Sequence, residues 1–189
     1  MQSTANEITD NEILSLISEA TSLERGFKLL MQKYQERLYW HVRRMVYEHD
    51  DANDVIQNAF IKVFRSIQKF EGKSKLYTWL YRIATNEAIT FINKKKRKST
   101  ASLDDEEAGI NTQLAADPYF DGDQVQLLLQ KALETLPEKQ RLVFNMRYYE
   151  EMPYKDIAEV LDTSVGALKA SYHHAVKKVE ASLRAADNY

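Results

Sequence analysis

The chain has 189 residues, 44% hydrophobic and 29% charged, with a formal net charge of −2. That length allows one ordinary domain or two small ones. There is no Cys, which excludes disulfides and Cys-ligated zinc, and five Gly and three Pro are too few for a turn-rich all-β design.

The first stretch, MQSTANEITDNEIL, is acidic and lacks the basic flank and apolar core of a signal peptide. No apolar run approaches the ~20 residues that span a bilayer, so a cytoplasmic chain without membrane insertion is expected. Residues 1–23 form an acidic extension, with a short helix predicted near 10–20 from Ile13, Leu16 and Ile17. Three longer apolar stripes follow at helical spacing. The first is Phe27, Leu30, Met31, Tyr34, Leu38, Val42, Met45 and Val46. The second is Val55, Ile56, Ala59, Phe60, Val63, Phe64 and Ile67, and the third is Leu76, Leu80, Ile83, Ala84, Ala88, Phe91 and Ile92. Three such helices can bury one another's stripes, which predicts a helical domain over residues 24–98.

The third helix has a second, mainly polar face carrying Thr78, Arg82, Thr85, Asn86, Ile89, Asn93 and Arg97, and it ends in the cation run Lys94, Lys95, Lys96, Arg97, Lys98. Cations gain a little at a helix C-terminus, but five together repel one another. A solvated helix end is the bland alternative; a phosphate-tracking patch, with Thr85 and Asn86 placed to hydrogen-bond bases, is the functional one. Phe70, Tyr77, Trp79 and Tyr81 cluster at the helix start, and aromatic rings beside cations suit single-stranded nucleic acid. Trp79 is expected in the core.

Residues 99–123 break the periodicity and hold Asp104, Asp105, Glu106, Glu107, Asp117, Asp121 and Asp123 with no cation. They read as a flexible acidic linker. Periodicity returns over 124–186. Val125, Leu128, Leu129, Ala132 and Leu133 form one stripe. Leu142, Val143, Phe144 and Met146 form the next, after Pro137. Pro153 opens YKDIAEVL, with Ile157, Ala158 and Leu161 inward. Asp162-Thr163-Ser164 reads as a tight turn, with Asp162 in the left-handed conformation and Ser164 as N-cap of a last helix starting at Val165. Leu168, Tyr172, Ala175, Val179 and Leu183 line its buried side. Two helices joined this way match a helix-turn-helix, although a plain helical hairpin shares the geometry. If the last helix enters a major groove, Ala167, Ala170, Ser171 and His174 face base edges, while Lys169, His173, Lys177 and Lys178 flank them. Ala and Ser give only modest base readout, so a second contact or a carrier is expected.

The segment DANDVIQNAFIKVFRSIQKFEGKSKLYTWLYRIATNEAITFINKKKRK (51–98) closely resembles region 2 of extracytoplasmic-function sigma factors, and LETLPEKQRLVFNMRYYEEMPYKDIAEVLDTSVGALKASYHHAVKKVE (133–180) resembles their region 4. The resemblance implies an all-α chain of two small helical domains, joined by the acidic linker, that initiates transcription. Core RNA polymerase (its β′ and β subunits), promoter DNA and an anti-sigma factor are the implied partners, with no cofactor, no metal and no catalytic residue. Asp51, Asp54, Gln57, Asn58 and Ile61 would dock on polymerase. Lys73, Lys75, Arg82, Asn86 and the cations Lys94 to Lys98 would bind the minus-ten element, the loop Glu71 to Lys75 holding a flipped base. Ser164, Ala167, Lys169, Ala170, Ser171, His174, Lys177 and Lys178 would meet the minus-thirty-five element. The chain departs from the family at Asn58, where Glu is usual, and at Ser171, His174 and Val176, where Arg is frequent. The acids of the linker suit a polymerase channel lined with positive charge. A stand-alone helix-turn-helix regulator and a sigma-like protein that binds polymerase but no promoter are the competing readings. An enzyme is disfavoured, because no Ser-His-Asp set, Gly-rich phosphate loop or metal cluster is visible. The four His, at 41, 49, 173 and 174, lack metal-ligand spacing.

Overall fold

The computed structural model describes residues 8–101 and 124–187, and every regular element among them is helical. The acidic stretch 104–123 lies outside the described residues. Helix α1 (Asp10–Ser18) opens on a capping box: the Thr9 hydroxyl accepts from the Glu12 N–H at 3.3 Å, and the Glu12 carboxylate accepts from the Thr9 N–H at 2.7 Å. The Tyr34 hydroxyl donates to the Asp10 carboxylate at 2.7 Å, and Lys33 pairs with that carboxylate at 2.8 Å. These contacts tie α1 to α2 (Leu23–Val46). Helix α3 (His49–Ser66) carries Asp50 and Asp51 in its first turn, where the macrodipole favours anions, and runs into a 3₁₀ turn, Ile67–Lys69. After a loop with Gly72 at φ 68°, helix α4 (Leu76–Ala101) continues past the expected boundary at residue 98. Leu30, Leu38, Val42, Val55, Ala59, Val63, Leu80, Ala84 and Ala88 are all buried between these helices.

Four helices make the second unit: α5 (Gln124–Glu134), α6 (Glu138–Tyr148), α7 (Tyr154–Leu161) and α8 (Val165–Asp187). Its own small core is Ala132, Leu133, Leu136, Phe144, Ala175 and Val179. Asp162 ends α7 with φ 48° and ψ 54°, the left-handed turn expected of it. The Ser164 hydroxyl accepts from the Ala167 N–H at 3.2 Å and so caps α8. One register differs from expectation: Ile157 and Val160 are buried, whereas Ala158 and Leu161 are only partly covered.

Val160 turns inward because the second unit has a neighbour. Leu142, Val143, Met146, Met152, Ile157, Val160 and Leu168 join the buried cluster of the first unit rather than that of their own. The two units thus share one apolar seam, with α7 lying along α4 and α6 reaching α2. Burial of this kind is the dominant favourable contribution to such docking.

The close crossing of α1 and α2 depends on Gly26, where a Cβ atom would sit 2.8 Å from Ile17 Cγ1 and 2.9 Å from the Ile17 backbone nitrogen. Helix propensity alone favours Ala there by about 1 kcal/mol, but overpacking costs about 1–3 kcal/mol. Gly26→Ala should therefore lower the midpoint of thermal unfolding followed by circular dichroism; a raised midpoint would contradict the close approach.

Candidate nucleic-acid and polymerase interface

Lys75, Arg82 and Lys96 stand seven and fourteen residues apart, spacings that bring side chains back to nearly the same side of a helix. On this stripe the second unit lies across the first. Lys75 pairs with Asp156 of α7 at 3.0 Å, and the Asp156 carboxyl is 5% exposed. The Arg82 Nε donates to the Glu159 carbonyl oxygen at 2.9 Å, and its Nη2 donates to the same oxygen. Lys96 pairs with Glu138 at the start of α6 at 2.9 Å. Asn86, Lys94, Arg97 and Lys98 are exposed. Lys95 turns aside to Asp51, 2.7 Å away, and Lys73 pairs with Glu71 inside the loop.

The expectation that Thr85 meets bases is corrected: its side chain is buried, with Oγ1 2.9 Å from His41 Nε2. Thr78, on the same polar face, is also buried. Both face packed helices, where a small β-branched side chain fits and a longer polar one does not. Trp79 is only partly buried, with its ring 5.2 Å from that of Phe70.

Sequence reasoning also missed Glu150. It sits on the α6–α7 connection, where Glu151 takes φ 51° and Met152 N–H donates to the Met146 carbonyl at 3.0 Å. That turn drives the Glu150 carboxylate into the seam, 7% exposed and 2.7 Å from Arg44. The Tyr81 hydroxyl donates to its other oxygen, and the Arg44 guanidinium lies 4.3 Å from the centre of the Tyr149 ring. Burial first, then the charge of Glu150, pushes the Tyr81 phenol well above its ordinary range. A pair of adjacent acids between two Tyr and a Met-Pro was the available sign, since an acid beside so much apolar surface is seldom left unpaired when buried.

Helix α3 shows solvent Asp54, Gln57, Asn58 and Ile61, the last 48% exposed, while Asp51 is half-covered by its pair with Lys95. Phe64, expected in the inward stripe, is instead 46% exposed and meets Phe27 edge-on with ring centres 5.0 Å apart. Ile61 and Phe64, three apart, make an apolar patch on an otherwise polar face. On α8, Ala167, Lys169, Ala170, His174, Lys177 and Lys178 are exposed, Ser171 is half-covered, and the hydroxyl of Ser164 is engaged in capping. Among the described residues no helix is long and apolar enough to cross a membrane.

Burial first, and then nearby Arg44, depresses the His41 imidazole to about 3 from an ordinary 6.5. The folded state keeps this ring neutral, so the unfolded chain binds the extra proton between those values. The resulting stability is complete above pH 6.5 and is lost as pH falls through that window. Between pH 7 and pH 5 the loss should be about 2 kcal/mol in urea unfolding. His41→Asn should flatten this slope, and an unchanged slope would remove His41 from its cause.

Comparison with known proteins gives two family matches: Sigma-70 region 2 over residues 30–98 and Sigma-70, region 4 over residues 126–179. The RNA polymerase sigma-H factor of Pseudomonas aeruginosa is 30% identical over 180 residues, covering 85% of this chain and 88% of that protein. The ECF RNA polymerase sigma-E factor of Haemophilus influenzae is 29% identical over 184 residues, covering 93% and 96%. Among solved structures, the sigma factor RpoE in complex with the anti-sigma factor NepR from Bartonella quintana superposes with a TM-score of 0.72 at 23% identity, covering 84% of this chain and 96% of that one. CnrH in complex with the cytosolic domain of CnrY gives 0.69 at 20% identity, covering 93% and 97%.

Proposed function

The chain belongs to the sigma-70 family of RNA polymerase sigma factors, in its extracytoplasmic-function group, and from that premise we propose how its surfaces divide the work of initiation. It is a transcription initiation factor, not an enzyme: it binds core RNA polymerase and directs it to promoters. The outer face of α3 docks on core polymerase through Asp54, Gln57, Asn58 and Ile61, with Phe64 extending the apolar patch and Asp51 at its edge. The cations of α4, with Asn86 and the loop that holds Lys73, engage the minus-ten element. Helix α8 reads the minus-thirty-five element weakly, because Ala and Ser offer no bidentate pairing to guanine. The assembly works where core polymerase works, in the cytoplasm.

The observation that carries this division is the separation of the three surfaces. An apolar patch on α3, a cationic stripe on α4 and an exposed polar face on α8 lie on different helices. A stand-alone regulator needs only the last. RpoE and CnrH, which resemble this chain in fold, were solved bound to partner proteins, and an anti-sigma partner is proposed here by analogy.

Reconstitution with core polymerase on genomic templates should yield run-off transcripts from discrete start sites; transcripts without such sites would remove the promoter function. Ile61→Asp should weaken core association at least ~10-fold while changing stability by no more than about 0.5 kcal/mol, since the side chain is exposed. Replacing Lys94, Arg97 and Lys98 by Ala should reduce the salt slope of promoter binding by roughly 2–3, close to one for each lost phosphate contact. An unaltered slope would take that cluster off the DNA.

A further inference from the structure

We propose that Lys95 is a positioning residue of the polymerase-docking surface: from the end of α4 it fixes the Asp51 carboxylate at the edge of the outer face of α3, and it stands apart from the cations that meet DNA. The inference rests on the sigma-factor reading above and deepens its account of polymerase docking.

Five consecutive cations on a helix do not form one patch, because successive residues turn by about 100°. Lys94, Arg97 and Lys98 fall within an arc of about 100°, and Arg97 stands about 20° from Asn86. Lys95, nine residues after Asn86, points about 180° away from it. It continues instead the inward stripe of Ala84 and Ala88, both fully buried. Residues 93–98 are exposed, so that stripe has run out of core by Lys95. Its long side chain reaches the first turn of α3, where Nζ donates to Asp51 Oδ2 at 2.7 Å. Lys96 takes a third direction, toward Glu138.

Asp51 sits where such a contact matters. By the same geometry it lies about 20° from Lys62 around α3, and Lys62 also pairs with α4, through Glu87. These two residues mark the flank of α3 that faces α4. Asp54, Asn58 and Ile61 are exposed beside that flank. Asp51 is therefore a boundary residue, its carboxyl 22% exposed, covered by α4 on one side and open to a partner on the other. Asp50, Asp51 and Asp54 also crowd the start of α3, where like charges three and four apart repel. One cation from α4 offsets that repulsion. The Lys95 side chain is 62% exposed, and a pair so open to water adds little stability. Its consequence is position. A carboxylate accepts through two oxygens; Lys95 holds one, and the other is presented in a fixed rotamer to a cationic side chain of core polymerase. A side chain already held loses less freedom on binding.

The test uses the full chain with core polymerase and a promoter fragment taken from a run-off start site. Lys95→Ala should weaken core association roughly 2- to 5-fold, the lower part of what ordering one side chain at an interface costs. It should leave unchanged the salt slope of promoter binding measured at saturating chain, a slope that losing one phosphate contact lowers by about one. Lys95→Arg keeps charge and reach and should keep wild-type affinity. Adding Lys95→Ala to Asp51→Asn should weaken core association no further than Asp51→Asn alone, since two residues acting through one contact are not additive. Thermal unfolding followed by circular dichroism should be the same for Lys95→Ala and wild type; a clearly lower midpoint would make Lys95 a brace of the fold and overturn the positioning role. A slope reduced by about one would place Lys95 on DNA and overturn the proposal, as would unchanged core affinity or a loss additive to that of Asp51→Asn. Each of these leaves the sigma-factor function standing while the wild-type chain directs run-off transcription. A wild-type chain that does not bind core polymerase would overturn both.

Discussion

The arrangement depends on one interaction, the burial of Met146, Ile157 and Val160 into the core of the first unit with Glu150 fastened beside them. The apolar contact supplies the drive for association. The carboxylate supplies position, because a charge taken out of water demands its partners at fixed geometry. Arg44 and Tyr81 are those partners, one from α2 and one from α4, so Glu150 locks the second unit to two helices at once. A pair of this kind adds little net stability over an apolar substitute, yet losing one member costs about 3–5 kcal/mol. That asymmetry makes a sharp latch from a modest energy.

The same logic explains why a net charge of −2 describes so little of this molecule. The cations are gathered on α4 and its end, and acids of the second unit are brought to them. Part of the charge that cancels in the total is matched in space, Lys75 with Asp156 and Lys96 with Glu138.

Much of the fold was legible in the sequence because it is local. Apolar residues at threes and fours marked the helices, Asp162 marked the left-handed turn, and Ser164 marked the cap of α8. The family was legible through the motifs at 51–98 and 133–180. What escaped was non-local. Thr85 looked like a base-reading residue because periodicity places it on the polar face, but periodicity cannot show that His41 waits opposite. Phe64 fits the inward stripe by spacing, yet the helix turns it out beside Phe27. Val160 is buried because a second unit covers it, and Glu150 matters only through residues more than sixty positions away. No pattern within one helix encodes a neighbour that arrives from another unit.

Small-angle scattering from the wild-type chain, free of polymerase and DNA, tests the docked state most directly. Closed packing requires a single-lobed distance distribution and a radius of gyration of about 16–18 Å, the compact value for a chain of this length. A two-lobed distribution with a clearly larger radius would show the units apart in solution, and the seam around Glu150 would lose its role.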